Sequence, residues 1–172
     1  MLIIRFAEPR DAEAVESARS RSWRAAYDGL LPPSVIDDLT GSGEVERRRG
    51  WHAANPLGRM LLAEIDGAPA GMAAYGPERR APIGPVPGRA RLEVYGLYVA
   101  PEHWSAGVGR ALLERVMDEG RAAGHDRLVL WVLETNERAR RFYARAGLEP
   151  TGRTDADLRG HIITEVRYER DL

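Results

Sequence analysis

The chain has 172 residues, 44% of them hydrophobic and 30% charged, with a formal net charge of −1. This is the composition of a soluble globule long enough to bury a core, read as one domain over residues 1–172. The near-zero charge gives no global pull toward nucleic acid or an anionic membrane, and the lack of cysteine removes disulfides, a thiol nucleophile and thiolate metal sites.

All 25 basic residues are arginine, and the chain has neither lysine nor glutamine. With abundant Ala and Gly, this is the signature expected of a GC-rich bacterial genome. It also rules out a Schiff-base lysine or a Walker-type phosphate lysine. His52, His103, His125 and His161 show no metal-ligand spacing, so no metal is expected. No apolar run approaches the ~20 residues of a membrane span. The N-terminal stretch turns acidic too soon for a signal peptide, and the expected location is the cytoplasm.

In chain order, residues 2–7 (LIIRFA) read as a short strand. Pro9 and Asp11 open a helix, with Asp11 as its cap. Val15, Ala18, Ser22, Trp23 and Ala26 fall near one face of it at helical spacing. Residues 33–39 and the strongly charged 44–54 are helix candidates. RMLLAEIDGAPAGMAAYG reads as two strands about Asp66-Gly67, a strong hairpin turn. Residues 77–89, rich in Pro, Gly and Arg, read as a long exposed loop.

ARLEVYGLYV is the next strand, and Gly96 inside it marks a bulge or a close backbone approach. A helix then runs from Gly107 to Ala123, with Val108, Leu112 and Val116 stacked on one face and Gly124 as its stop. Residues 127–133 (RLVLWVL) suit a strand buried on both faces. Asn136 caps a helix that Gly147 ends, and LEPTGR and HIITEVRYER close the chain as strands. Strand, helix, strand from Arg91 to Leu133 is a βαβ unit with parallel strands. The remaining pairs are expected to be antiparallel. The expected fold is α/β (α+β): a mixed, mostly antiparallel sheet of about seven strands with helices on both faces.

The stretch VAPEHWSAGVGRALL raises the functional question. The first turn of a helix has N–H groups without internal partners, and the helix dipole adds partial positive charge there. Phosphate is the natural guest. A Cβ at Gly107 or Gly109 would hold such a guest off or strain the turn. The plain alternative is a tight strand-to-helix turn. The dinucleotide signature needs a third glycine where Leu112 stands, and the P-loop pattern is absent.

LYVAPEHWSAGVGRALL followed by LWVLETNERARRFYARAGLEPTGR resembles the GNAT superfamily of acyl-CoA-dependent N-acyltransferases. The family's strand, Gln/Arg-x-x-Gly-x-Gly/Ala, helix motif reads here Trp104-Ser105-Ala106-Gly107-Val108-Gly109, with Trp104 departing from the commoner residue. The second motif is Asn136, Ala139, Phe142-Tyr143 and Gly147-Leu148. RSWRAAYDGLLP also looks like a common GNAT subgroup. The likeness covers essentially the whole chain and is strongest over residues 92–153.

This resemblance implies a GNAT fold whose central parallel pair splays to hold acyl-CoA. It implies an N-acetyltransferase in which a primary amine attacks acetyl-CoA directly, through a tetrahedral intermediate. The pyrophosphate would sit on the amides of Ser105, Ala106, Gly107, Val108, Gly109 and Arg110. The pantetheine arm would pair with backbone at Leu97, Tyr98 and Val99, and the Val99 amide would polarise the thioester carbonyl. Asn136 and Ala139 would line the other wall.

An alkyl amine of pKa ~10 must lose a proton before attack. Glu93 is the candidate base, directly or through water, with Glu165 and His161 behind it; the competing reading leaves Glu93 facing solvent beside an arginine. Tyr143 matches the family's tyrosine near the sulfur. A phenol at ~10 is a weaker acid than a thiol at ~8.5, so full proton transfer is uphill by about 2 kcal/mol and a hydrogen bond to the thiolate can be its whole contribution. Core packing is the alternative for Tyr143. Trp23, Tyr27 and Tyr75 are candidate walls of the acceptor site, against ordinary burial for Trp23 and Tyr27. The expected partners are an amine-bearing acceptor, small molecule or peptide, and a second copy in a homodimer. A non-catalytic acyl-CoA-binding regulatory module is the rival from another class.

Overall fold

Strand alternation sets the architecture. The computed structural model describes residues 1–79 and 90–172. In chain order these form β1 (Leu2–Phe6), α1 (Ala12–Tyr27), α2 (Pro33–Leu39), α3 (Gly43–Ala54), β2 (Arg59–Ile65), β3 (Ala68–Pro77), β4 (Arg91–Val99), α4 (Val108–Ala122), β5 (Arg127–Leu133), α5 (Glu137–Arg145), β6 (Glu149–Leu158) and β7 (His161–Asp171). The strands make a seven-stranded sheet of order β1-β2-β3-β4-β5-β7-β6. Its β4–β5 pair is parallel and the others are antiparallel, as the βαβ unit and the flanking hairpins require.

Successive residues of β2 and β3 divide between the two faces. Leu61, Ala63, Ala73 and Tyr75 join Leu112, Leu113 and Val116 of α4 in the larger core. Met60, Leu62, Met72 and Ala74 pack with Val15 of α1 on the other face. α4 carries its apolar stripe as the i, i+4, i+8 spacing predicts, and Gly124 ends it in the left-handed region at φ 81°.

β4 does two things that open the sheet. Its register against β3 slips between Ala74 and Tyr75, which pair with Gly96 and Val94, so Tyr95 is the extra residue of a bulge. Its parallel pairing with β5 covers Arg91 to Val94 against Arg127 to Leu130 and stops there, although both strands continue. A bulge adds local twist, and the two strands part beyond it.

Two local readings need correction. Asp11 gives no side-chain cap to α1. Its carboxylate instead accepts from Arg5 at 2.7 and 2.9 Å and from the Glu8 N–H at 2.8 Å, a stronger charge-assisted arrangement. β6 runs past Arg153 to Leu158, because Arg159 and Gly160, at φ 57° and 80°, form the hairpin turn to β7 without the usual Asn-Gly or Asp-Gly signal. Of the loop read at residues 77–89, residues 80–89 lie outside the described residues.

Candidate functional site

A cavity of about 470 Å³ lies where β4 and β5 part, between α4 and α5. Its floor follows from ladder geometry. The Ala100 N–H donates to the Ala70 carbonyl at 2.9 Å. Antiparallel pairs alternate between bonded and non-bonded, so Tyr98 opposite Met72 belongs to the ladder, while Leu97 and Val99 turn their peptide groups the other way. β5 no longer pairs with β4 at that level. The Val99 carbonyl is taken by Trp104 Nε1 at 2.7 Å. The Val99 N–H and both peptide groups of Leu97 remain as an open strand edge facing the cavity.

Next to that edge stands the N-terminus of α4. Gly107 is its cap at φ 85°, and Ser105 is also left-handed at φ 63°. The first intrahelical bond runs from the Ala111 N–H to the Gly107 carbonyl at 3.0 Å, so the amides of Val108, Gly109 and Arg110 have no intrahelical acceptor. The two glycines differ in their reasons. Gly107 needs its backbone conformation. Gly109 does not: a Cβ there would touch Phe142 Cζ and Val99 Cγ2 at 3.5 Å each, ordinary contact, so what its missing side chain provides is room in the cavity corner.

Opposite this edge, Asn136 is buried, and its Oδ1 accepts from the Ala139 N–H at 3.1 Å, the cap its position predicts. Tyr143 is buried beside it, its ring 6.4 Å from that of Tyr168. Burial first, then the neighbouring Tyr98, pushes the Tyr143 phenol well above its ordinary pKa. Tyr27 rises for the same first reason, opposed by its interaction with the Asn136 side chain. The outer end of the cavity is cationic, with Arg110, Arg138, Arg141 and Arg145 in its lining. Arg110 and Arg141 pair with Glu114 and Glu137 at 2.7 and 2.9 Å. The Arg138 guanidinium stacks 3.4 Å from the Trp104 ring centroid.

A second cavity, about 650 Å³, lies on the α1–α3 face of the bulge. The two cavities share Tyr95, Gly96 and Tyr98 in their walls. A Cβ at Gly96 would sit 2.6 Å from Cε2 of the Tyr98 ring, so any larger residue would displace that ring.

The structure therefore gathers Tyr27, Leu97, Tyr98, Val99, Trp104, Ser105, Gly107, Gly109, Arg110, Asn136, Ala139 and Tyr143 into one lining. Tyr98 contributes its ring there, not its ladder-bound peptide. Val108 points into the core and offers only its amide. Ala106 does not line the cavity, and its N–H bonds the His103 carbonyl at 3.3 Å. Trp23 lines the second cavity, 4.4 Å from Tyr27 between ring centroids.

Two placements differ from expectation. Tyr75 is no wall of an acceptor site: strand alternation turns it to the α4 face, where it is buried in the larger core and burial pushes its phenol up to about 12. Glu93 lines neither cavity and does not face solvent. It accepts the Arg79 N–H at 2.7 Å, and the Arg79 guanidinium lies 3.6 Å from it and 3.4 Å from the Tyr95 ring centroid. Sequence reading missed the arginines of α5 and the α3 wall of the second cavity. Both sit in charged runs that read as solvated faces.

The described residues hold no cluster of three or more His, Asp or Glu that could bind a metal. The model of the acetyltransferase (GNAT) family matches residues 17–148. The chain is 32% identical over 176 aligned positions to the "Probable N-acetyltransferase" of Mycobacterium tuberculosis, covering 96% of this chain and 91% of that protein. Among solved structures, the PaiA N-acetyltransferase of Thermoplasma acidophilum, in complex with coenzyme A, superposes with a TM-score of 0.74 at 19% identity, covering 100% of this chain and 99% of that one. The Salmonella typhimurium protein YncA, solved with its cofactor acetyl-CoA, gives 0.69 at 23% identity over 99% and 93%.

Proposed function

This chain belongs to the acetyltransferase (GNAT) family, and on that premise we propose that it moves an acetyl group from acetyl-CoA to the primary amine of an acceptor that enters through the second cavity. One observation carries the reading. The free strand edge at Leu97 and Val99, the unpaired first amides of α4 and the Tyr143 phenol all line one cavity. A diphosphate followed by an amide-bearing arm matches that sequence of donors and acceptors. The room left at Gly109 and the cationic end at Arg138 fit the same guest.

In this reading the amides of Gly109 and Arg110 hold the diphosphate. The Leu97 peptide groups pair with the arm as a neighbouring strand would. The Val99 N–H donates to the thioester carbonyl oxygen, whose negative charge grows as the amine attacks. Its own carbonyl is held by Trp104, which keeps that peptide plane fixed. Tyr143 donates a hydrogen bond to the departing sulfur. Its raised pKa makes outright proton transfer costlier than the ~2 kcal/mol of a free phenol, so the bond itself is the contribution. Glu93 lines neither cavity and is held by Arg79, so the amine's proton would reach it only through water, not by contact.

The test is a thermal-shift series with acetyl-CoA and NAD, followed by thiol release from acetyl-CoA across a panel of amines. Stabilisation by acetyl-CoA alone, with amine-dependent release of CoA, is expected. Stabilisation without release for any amine would favour a non-catalytic acyl-CoA-binding module. No stabilisation would overturn the assignment of the cavity.

A further inference from the structure

The second cavity is lined by Arg19, Arg47, Arg48 and Arg79 and by one carboxylate, Glu44. Behind the lining, Arg19 bonds Glu16 at 2.9 Å and Glu44 at 3.0 Å and also reaches the Leu39 carbonyl. Arg47 and Arg48 approach Glu44 at 2.9 and 3.3 Å, and Arg79 approaches Glu93 at 3.6 Å. Among the described residues of this network, the four guanidiniums face only Glu16, Glu44 and Glu93. One positive charge is uncompensated. Burial also raises the Glu16 carboxyl, which makes the balance no less positive.

Two buried donors of lining residues also make no hydrogen bond. Trp23 is 8% exposed and its Nε1 has no hydrogen-bond partner; the buried Arg48 Nε makes no hydrogen bond either, though it lies 3.6 Å from Glu16 Oε2. Buried donors cost free energy unless something accepts from them. Two carboxylate oxygens, Glu16 Oε1 and Glu44 Oε1, are without hydrogen-bond partners too; Glu16 does not line the cavity, and Glu44 Oε1 lies 2.9 Å from the Arg47 guanidinium. The charge of the lining therefore favours an anion, and a second protonated amine there would be repelled.

Resting on the acetyltransferase reading above, we propose that the acceptor is an amine that also carries a carboxylate, as a free amino acid does, with its carboxylate held in the second cavity by Arg48 and Arg79 and its amine directed past Tyr98 toward Val99. A mono-anion neutralises the surplus charge. The Trp23 and Trp51 rings supply the apolar walls beside it.

The test compares each amino acid with its carboxamide and with its decarboxylated amine, at saturating acetyl-CoA. Charge-assisted hydrogen bonds of this kind predict kcat/KM higher by about 10- to 100-fold for the carboxylate form. Arg79→Gln and Arg48→Gln should each collapse that ratio, chiefly through KM, while acetyl-CoA still raises the melting temperature. The exposed Arg79 keeps the test valid if Arg48→Gln fails to fold. Equal or better rates with carboxamides or diamines, in a protein that does bind and turn over acetyl-CoA, would overturn the carboxylate assignment alone. Absence of acetyl-CoA binding would instead remove the reading on which it rests, and this proposal with it.

Discussion

Gly109→Ala separates binding from stability more cleanly than any other single change here. A Cβ at this position meets Phe142 and Val99 at 3.5 Å, with no clash and no left-handed φ to strain. Glycine inside a helix costs roughly 0.5–1 kcal/mol relative to alanine, so the variant should melt about 1–4 °C higher. The methyl group rests on those two side chains, and the family's motif takes Gly or Ala at this place, so acetyl-CoA affinity should stay within about threefold of wild type. Gly109→Glu, which puts a carboxylate among the first amides of α4, should lower it at least tenfold, about 1.4 kcal/mol. Gly107→Ala is the control: at φ 85° it forces a Cβ into the left-handed region, which costs about 1–2 kcal/mol and lowers the melting temperature by some 2–8 °C. Calorimetric titration with acetyl-CoA and thermal denaturation of these variants read these numbers. A Gly109→Glu protein that binds acetyl-CoA with wild-type affinity would refute the route assigned to the guest.

Tyr143→Phe should lower kcat by about tenfold with acetyl-CoA affinity unchanged, because it removes one hydrogen bond to the leaving sulfur and no packing surface; wild-type kcat in the variant would end that role. Trp104→Phe loses the bond to the Val99 carbonyl and the full stack on Arg138. It should destabilise by about 1–2 kcal/mol and weaken acetyl-CoA binding severalfold, as melting and titration would show. Asp11 is pulled down to about 2 by its hydrogen bonds from Arg5. A carboxyl whose folded pKa is depressed stabilises the fold above its unfolded pKa of about 3.9 and loses that stabilisation as pH falls toward 2. Arg5 is partly exposed, at 37% of its side chain, so the expected worth is about 1–2 kcal/mol. Asp11→Ala should therefore be less stable at pH 7 by that amount, with the gap closing below pH ~3 in urea melts; a gap independent of pH would contradict the ion pair.

The sequence alone determined what short-range physics encodes. Hairpin chemistry at Asp66-Gly67 paired β2 with β3, apolar periodicity placed the buried face of α4, and Asn136 announced its cap three residues before the N–H it accepts. Gly107 and Gly109 marked the helix start where a phosphate fits, and two motifs carried the family. Tertiary structure decided what depends on which face or edge a residue meets. Alternation along β3 sent Tyr75 under α4, away from the site. Ladder parity at Ala70 and Ala100 left Leu97 and Val99 open and tied up Tyr98, which composition does not reveal because the three share one apolar run. Arg79 closed over Glu93, and a strongly charged helix, α3, became the wall of a cationic cavity. Local pattern fixes elements because each turn or cap is satisfied within a few residues, whereas a binding site is assembled by long-range pairing, whose register and facing no short window of sequence contains.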